Sequence, residues 1–118
     1  IGRLSAYCGA ISAGCAAACG VAYLMGEDLE TISQTLSNSL AITSGVICDG
    51  AKASCAAKIS TAVDSGLMGY YMCKNKKNFC GGDGIVGDGI EKTIRNVGKL
   101  ASQGMRETDR VIIDIMTE

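Results

Sequence analysis

The stretch at residues 4–26, "LSAYCGAISAGCAAACGVAYLMG", decides the fold because it carries no charged residue over 23 positions. A run of this length is long enough to cross a bilayer. It is, however, rich in Ala, Gly, Ser and Cys and poor in Leu, Ile and Phe. We therefore expect a helix buried inside a protein, not in a membrane, whose small side chains let neighbouring helices approach closely. Gly26 is placed to end this helix as a C-terminal cap.

The overall composition places this first helix in a single globular domain. The chain has 118 residues, of which 47% are apolar, enough for one modest core. With four Tyr, one Phe and no Trp, that core has to be built from aliphatic and small side chains. A formal net charge of −1, with basic residues clustered only at residues 74–78, argues against nucleic acid as a partner.

The cysteines and the missing histidines indicate the compartment and the chemistry. Seven cysteines, an odd number with no secretory leader before them, make a disulfide framework unlikely and favour a reducing cytoplasm. The chain contains no histidine, so neither a histidine proton shuttle nor a histidine zinc site is available. The chain starts without Met, as "IGRLSAYCG", and we expect it to be the C-terminal part of a longer protein, with residues 1–118 forming one helical domain.

The segments after the first helix repeat apolar residues at steps of three and four, which predicts amphipathic helices. These helices cover about residues 27–43, 50–72, 89–103 and 109–117. The predicted inward stripes of the first three are Leu29, Ile32, Leu36 and Leu40; Ala56, Ile59, Val63, Leu67 and Tyr70; and Ile90, Ile94, Val97 and Leu100. The last segment is also compatible with a strand because it is rich in β-branched residues, but its periodic neighbours favour a helix. We predict an all-α fold, a compact helical bundle around the small-residue-rich first helix.

Polar residues suggest where the later helices begin and end. Asp88 and Glu91 have the spacing of a capping box for the fourth helix. Gly104 is placed to end that helix, and Thr108 to cap the last one.

The segment at residues 44–58, "SGVICDGAKASCAAK", is the strongest candidate for a functional site. Cys48 comes just before the predicted start of the third helix, where backbone N–H groups lower the pKa of a thiol. Gly50 permits a tight turn or a close backbone approach, and Lys52 adds a positive charge. The spacing of Cys48 and Cys55 alone is a weak signal, so two packing cysteines at a helix start remain an alternative.

The other cysteines have simpler interpretations. Cys8, Cys15 and Cys19 fall on one face of a continuous first helix. We expect Cys15 and Cys19, which lie among alanines, to pack as small apolar residues. Cys8, at the polar end of the stretch, is a better candidate for a functional thiol. Cys73 and Cys80 bracket the basic loop, as chance neighbours or as a redox pair.

Three stretches together resemble one family: "SGVICDGAKASCAAKI", "LSAYCGAISAGCAAACGVAYLMG" and "GIEKTIRNVGKLASQGMRETDRVIIDIMTE". The sequence is similar to the serine dehydratase-like alpha-chain family, in particular its branch of L-cysteine desulfidases and related uncharacterised UPF0597-type proteins. The resemblance covers the whole chain but only about the C-terminal quarter of such a protein. It implies an oxygen-sensitive [4Fe–4S] lyase that needs no pyridoxal phosphate and converts a small amino acid to pyruvate and ammonia.

The resemblance also implies which residues act. The cluster ligands carried onto this sequence are Cys8 in "YCG", Cys48 in "CDGAK" and Cys55 in "SCA". Some members take a ligand from the N-terminal part, which would displace Cys55. Lys52 and Ser54 match the motif and are candidates to bind the substrate carboxylate. The catalytic base is expected outside this chain, so the chain alone should be inactive.

Two other functions stay open on the sequence alone. One is a non-enzymatic helical assembly or regulatory domain without a cluster. The other is a thiol site for zinc or redox chemistry. The small-residue face of the first helix, if exposed, favours self-association, and we expect the isolated chain to form homo-oligomers.

Overall fold

A computed structural model describes residues 6–118, so the first residues of the predicted first helix lie outside the described part. The described residues form five α-helices: α1 (Gly9–Leu24), α2 (Leu29–Ile42), α3 (Ser54–Lys74), α4 (Ile90–Lys99) and α5 (Arg106–Thr117). From Ala6 onward the only β-type pairing is an isolated antiparallel bridge between Ala6 and Ile47. The predicted all-α fold is confirmed.

The end of α1 follows the predicted glycine cap. Gly26 has a φ of +81°, a conformation that glycine adopts without steric cost. The Gly26 N–H donates to the Tyr23 carbonyl at 3.0 Å and the Glu27 N–H donates to the Ala22 carbonyl at 3.1 Å. These two bonds form a Schellman motif, which turns the chain directly into α2.

Small residues bring α1 and α3 into close contact. A methyl group added at Gly66 of α3 would lie 2.6 Å from the Cβ of Ala18 on α1, and one at Gly14 would overlap Ala62. Helix α3 packs extensively against both α1 and α2 and is therefore their common neighbour. The opposite face of α1, which includes Ala13, Ala16 and Gly20, is exposed.

The close approach of the helices makes the predicted stripe of α3 wrong in part, although Tyr70 is buried as predicted. In the other two stripes Leu29 and Ile94 are exposed, so their predicted inward positions are wrong as well. On α3 the buried residues are Ala62, Ser65, Gly66, Gly69 and Tyr70. Of the predicted stripe, Ala56 and Ile59 are exposed, and Ile59 keeps 47% of its accessible surface. A helix that approaches its neighbours this closely buries its smallest side chains and leaves larger ones at the edge of the contact.

The interface between α2 and α3 contains a buried polar residue with several partners. The Asn38 side chain donates to the Gly69 carbonyl at 3.0 Å and to the Asn78 side chain at 3.1 Å. Its oxygen accepts hydrogen bonds from Gln34 and from the backbone N–H of Phe79. Asn38 therefore joins α2, α3 and the loop after α3.

The helix starts differ from the predicted ones. Asp28 caps α2 by accepting from the Thr31 N–H at 2.8 Å, whereas α4 follows Gly89, at a φ of +85°, without a side-chain cap. The capping box of Asp88 and Glu91 is therefore wrong, and Asp88 instead pairs with Lys92 at 3.8 Å.

The fourth helix does not stay α-helical as far as Gly104, although its winding does end there as predicted. A π-helical turn over Leu100–Gly104 continues the winding after α4, and α5 then begins at Arg106. Thr108 consequently lies inside α5 and is not its cap.

No helix among residues 6–118 is long and apolar enough to cross a membrane.

Candidate functional site

The Cys48 loop, which we define as residues 46–53, connects a short 3-10 turn at Thr43–Gly45 to α3. The antiparallel bridge between Ala6 and Ile47 joins this loop to the segment that precedes α1. Cys8 lies two residues from that bridge and Cys48 lies one residue from it. Two segments that are 40 positions apart in the sequence, each with a candidate ligand, are thereby brought together.

Lys58 of α3 holds the Cys48 loop from the helix side. Its Nζ donates to the Ile47 carbonyl at 2.9 Å and to Asp49 Oδ1 at 2.6 Å, so it bonds the residues on both sides of Cys48. Lys52 pairs with the other oxygen of Asp49 at 2.5 Å. These ammonium groups, Lys52 first and then Lys58, hold the pKa of Asp49 well below its usual range.

Sequence reasoning missed Lys58, although a local signal existed. Lys58 follows Cys55 by three residues, which places both on one face of α3. Asp49 raises the pKa of Lys58, and the Cys48 and Cys55 thiols add to this effect. Lys58 is therefore a cation on the Cys55 face of α3 that bonds the two residues flanking Cys48.

The remaining predicted residues of this segment are placed as follows. Helix α3 begins only at Ser54, and the chain from Asp49 to Ala53 turns before it. The prediction that Cys48 lies next to a helix N-terminus is therefore wrong. The Cys55 thiol points back to the loop and donates to the Gly50 carbonyl at 3.7 Å. Ser54 is exposed at the first position of α3, and Lys52 is exposed and paired with Asp49.

Cys8 is held by its neighbour Tyr7. The Tyr7 hydroxyl is buried and donates to the Leu40 carbonyl of α2 at 2.7 Å. The backbone φ of Tyr7 is +49°, which is uncommon for a residue with a side chain. Burial raises the pKa of Tyr7 well above its usual range. Cys8 follows as the N-cap of α1, and its carbonyl accepts from the Ser12 hydroxyl at 2.7 Å.

The C-terminal helix also reaches this site. Gly50 in the Cys48 loop has a φ of +98°, and a methyl group added there would lie 3.0 Å from Cε of Met116 on α5. Glycine at this position therefore permits both the turn and the approach of the Met116 side chain. The tail motif and the "CDGAK" motif thus meet in space.

The other cysteines lie elsewhere. All seven cysteines are free thiols. Cys15 is buried and Cys19 is half-buried, and burial raises the pKa of both, as expected for packing residues. Cys73 is half-buried and Cys80 is exposed at the two ends of the basic loop.

The three candidate cysteines are the right type of ligand for an iron–sulfur cluster, but the described structure does not group them into a metal site. Thiolates are the preferred ligands of iron–sulfur clusters, and Cys8, Cys48 and Cys55 are all partly accessible. Within residues 6–118, however, no three His, Cys, Asp or Glu side chains are grouped closely enough to hold a metal ion. Cys8, Cys48 and Cys55 thus stay predictions as ligands.

The described fold is an all-α domain in which the segments of Cys8 and Cys48 are joined by one backbone bridge. The family model for the serine dehydratase alpha chain matches residues 1–114. The chain belongs to the serine dehydratase alpha chain family, a lyase-related family whose members are generally associated with iron–sulfur clusters.

The chain is also similar to several UPF0597 proteins. It is 56% identical over 118 residues to one from Finegoldia magna, with all of the chain and 28% of that protein covered. It is 57% identical over 116 residues to one from Desulfitobacterium hafniense, with 98% and 27% covered. A UPF0597 protein from Bacteroides fragilis is 40% identical over 117 residues, with 99% and 27% covered. The chain thus spans little more than a quarter of these relatives, and no solved structure matches it significantly.

Proposed function

We propose that this chain is the C-terminal part of an iron–sulfur-dependent amino-acid lyase of the cytoplasm. The reaction eliminates sulfide from L-cysteine, or water from L-serine, and yields pyruvate and ammonia. The observation that carries the proposal is the bridge between Ala6 and Ile47, which joins the two cysteine segments in a chain of this family. Cysteine ranks ahead of serine as the substrate because the chain resembles the desulfidase branch.

In this proposal the thiolates of Cys8 and Cys48 hold a [4Fe–4S] cluster, together with Cys55 or a cysteine outside this chain. When bound, such a cluster supplies an open iron that polarises the leaving group of the substrate, as catalytic metals do. Lys52 is exposed within the Cys48 loop and pairs with Asp49. It is a candidate to leave Asp49 and bind the substrate carboxylate instead. Ser54, the first residue of α3, is the second candidate for that contact.

The test is an anaerobic measurement of iron and acid-labile sulfide in the full-length protein that carries this chain. We expect about four of each per chain, the content of one [4Fe–4S] cluster. The Cys48→Ala variant should lose most of its iron and sulfide. The control variant Cys80→Ala, which changes an exposed cysteine in the loop after α3, should keep both. A reconstituted protein without iron would rule out the lyase. Measured turnover by the isolated 118-residue chain would contradict the expectation that the base lies elsewhere.

A second candidate is a helical assembly or regulatory domain that keeps the family fold without a cluster. It is favoured by the fact that the described residues do not bring three metal donors together. The same experiment separates the two candidates. A stable full-length protein that never takes up iron, and whose fold is unchanged by Cys48→Ala, would establish the second.

A further inference from the structure

Each of the two best-placed thiols has a neighbour that fixes its backbone, and neither neighbour is a cysteine. We propose that Tyr7 and Lys58 are positioning residues that set Cys8 and Cys48 in place before any metal binds. This inference rests on the proposed function, since it concerns the same thiolate site. It assigns a task to two side chains that the sequence motifs did not single out.

Tyr7 fixes the chain immediately before Cys8. Its hydroxyl is bonded to the Leu40 carbonyl at 2.7 Å in the buried core, so the ring is tied to α2. The left-handed backbone at a φ of +49° is retained for a residue with a side chain only where surrounding contacts outweigh its strain. The hydroxyl bond is such a contact, and it therefore determines the direction in which the chain enters Cys8.

Lys58 fixes the chain on both sides of Cys48. The bonds of its Nζ to the Ile47 carbonyl and to Asp49 span the residue between them. Lys58 lies on α3, which packs against α1 and α2. Its bonds therefore anchor the Cys48 loop to a rigid helix. The Lys52 ammonium differs in that it pairs with Asp49 of the same loop, so this ion pair does not tie the loop to α3.

The bridge between Ala6 and Ile47 connects the two anchored segments. The Cys8 segment is thus anchored to α2 by Tyr7, and the Cys48 loop is anchored to α3 by Lys58. A site arranged in advance loses less conformational freedom when its ligand binds. The expected result of removing either anchor is therefore a cluster that assembles more slowly and loses iron more readily.

The experiment follows the rate at which the reconstituted full-length protein loses iron to a strong ferrous chelator without oxygen. The anchors are removed by Tyr7→Phe and Lys58→Met, and the matched controls are Tyr71→Phe, at an exposed tyrosine, and Lys92→Met on α4. We expect each anchor variant to lose iron about 10-fold faster, the effect of one charge-assisted or buried hydrogen bond. The controls should stay within about twofold of the wild type, and Lys58→Arg, which can reach both acceptors, should restore most of the retention.

Thermal unfolding of the iron-free proteins tests for a merely structural effect. Lys58 lies near the surface, with 24% of its side chain accessible, so Lys58→Met should unfold within a few degrees of Lys92→Met. This keeps the test valid even where Tyr7→Phe lowers stability. Iron retention in both anchor variants equal to that of the controls would overturn the inference while leaving the cluster intact. A wild type that takes up no iron would instead overturn the proposed function, and this inference with it.

Discussion

At the scale of single residues, the most consequential side chain outside the candidate site is Asn38. It is fully buried, and all of its polar atoms have partners on α2, on α3 and in the loop after α3. A buried polar group that loses its partner costs more than a typical hydrogen bond contributes. The stability of this region therefore depends on one amide group.

Replacement of Asn38 by Ala should destabilise the fold by about 2–4 kcal/mol, because it removes all the bonds that the buried amide makes to Gln34, Gly69, Asn78 and Phe79 and leaves a cavity between α2 and α3. The free energy of unfolding from urea titration, followed by circular dichroism, measures this. The matched control is Asn75→Ala, which removes an exposed amide bonded to the Tyr71 carbonyl. That control should change stability by less than about 0.5 kcal/mol. Equal effects of the two substitutions would contradict the assigned role.

Glu27 provides a prediction about pH. Lys74 and the Tyr70 hydroxyl both bond its Oε1 at 2.7 Å, and together they lower the pKa of the Glu27 carboxyl. A lowered folded-state pKa means that the stabilisation is fully present above the usual Glu pKa of about 4.3. It is lost as the pH falls through the lowered folded-state pKa.

Glu27→Gln should therefore reduce the free energy of unfolding at neutral pH, and the difference from the wild type should shrink as the pH falls below about 4. Urea titrations at a series of pH values measure this. In a Lys74→Met background the same substitution should have a smaller effect, because the ion pair is already absent. A difference that grows on acidification would show that the sign is wrong.

The residues that act on the candidate thiols show why the site could be predicted only in part. Cys8 and Cys48 stay predictions as ligands: the resemblance to the family implies them, and for Cys48 the neighbouring glycine and charged residues are a local signal as well. Tyr7 acts through Leu40, and the two cysteine segments meet at the Ala6–Ile47 bridge; both contacts join distant parts of the chain. No local pattern reports such contacts. Lys58 did carry a local signal, its offset from Cys55, but lysines at that spacing are common on helices.

At the scale of helices, glycine has opposite roles at two positions. Gly66 lies where α1 and α3 cross, and an added methyl group would meet Ala18 at 2.6 Å. Gly20, in the middle of α1, has open space at the same position. The two sites share a helical backbone and differ in packing, which allows a matched comparison.

Gly66→Ala should destabilise the fold by about 1–3 kcal/mol, because overpacking outweighs the better helix propensity of alanine. Gly20→Ala should instead stabilise it by about 0.5–1 kcal/mol, since only propensity changes. Thermal and urea unfolding of both variants decide the matter. Stabilisation by Gly66→Ala would mean that α1 and α3 are further apart than described.

The helices themselves followed from periodicity, and their ends followed less well. The end of α1 was predicted because a glycine after a long apolar run has a specific conformational use. The start of α3 was placed too early, since the turn from Asp49 to Ala53 is held by Lys52 and Lys58 and not by helical hydrogen bonds. The predicted buried face of α3 is wrong in part because apolar periodicity marks the larger side chains, whereas close packing selects small residues.

At the scale of the whole molecule, the chain exposes more surface than its mass requires. Its accessible surface is 7043 Å², against about 6000 Å² for a typical monomer of this size. The difference is comparable to one side of a standard protein interface, about 800 Å². Large apolar side chains are most exposed at the corner between α1 and α2: Tyr23, Leu24, Met25 and Leu29.

We expect the isolated chain to self-associate through this corner, because contiguous exposed apolar groups favour association. Light scattering coupled to size exclusion should show oligomers. The double variant Leu24→Glu and Leu29→Glu should shift the chain toward monomer, since both side chains are about four-fifths exposed and their replacement leaves the core intact. Lys77→Glu, in the exposed basic loop, is the control. A wild-type chain that stays monomeric at high concentration would contradict this expectation.

The π-helical turn at Leu100–Gly104 affects how the chain tolerates length changes. A π turn holds one more residue than the α-helical turn it replaces, so α4 and α5 are out of phase by one position. Each residue of an α-helix advances the winding by about 100°. Deletion of a single residue here would change the direction in which α5 leaves this turn and carry Met116 away from Gly50. Natural length variation in this family should therefore avoid this turn, even though it lies far in sequence from the Cys48 loop that Met116 approaches.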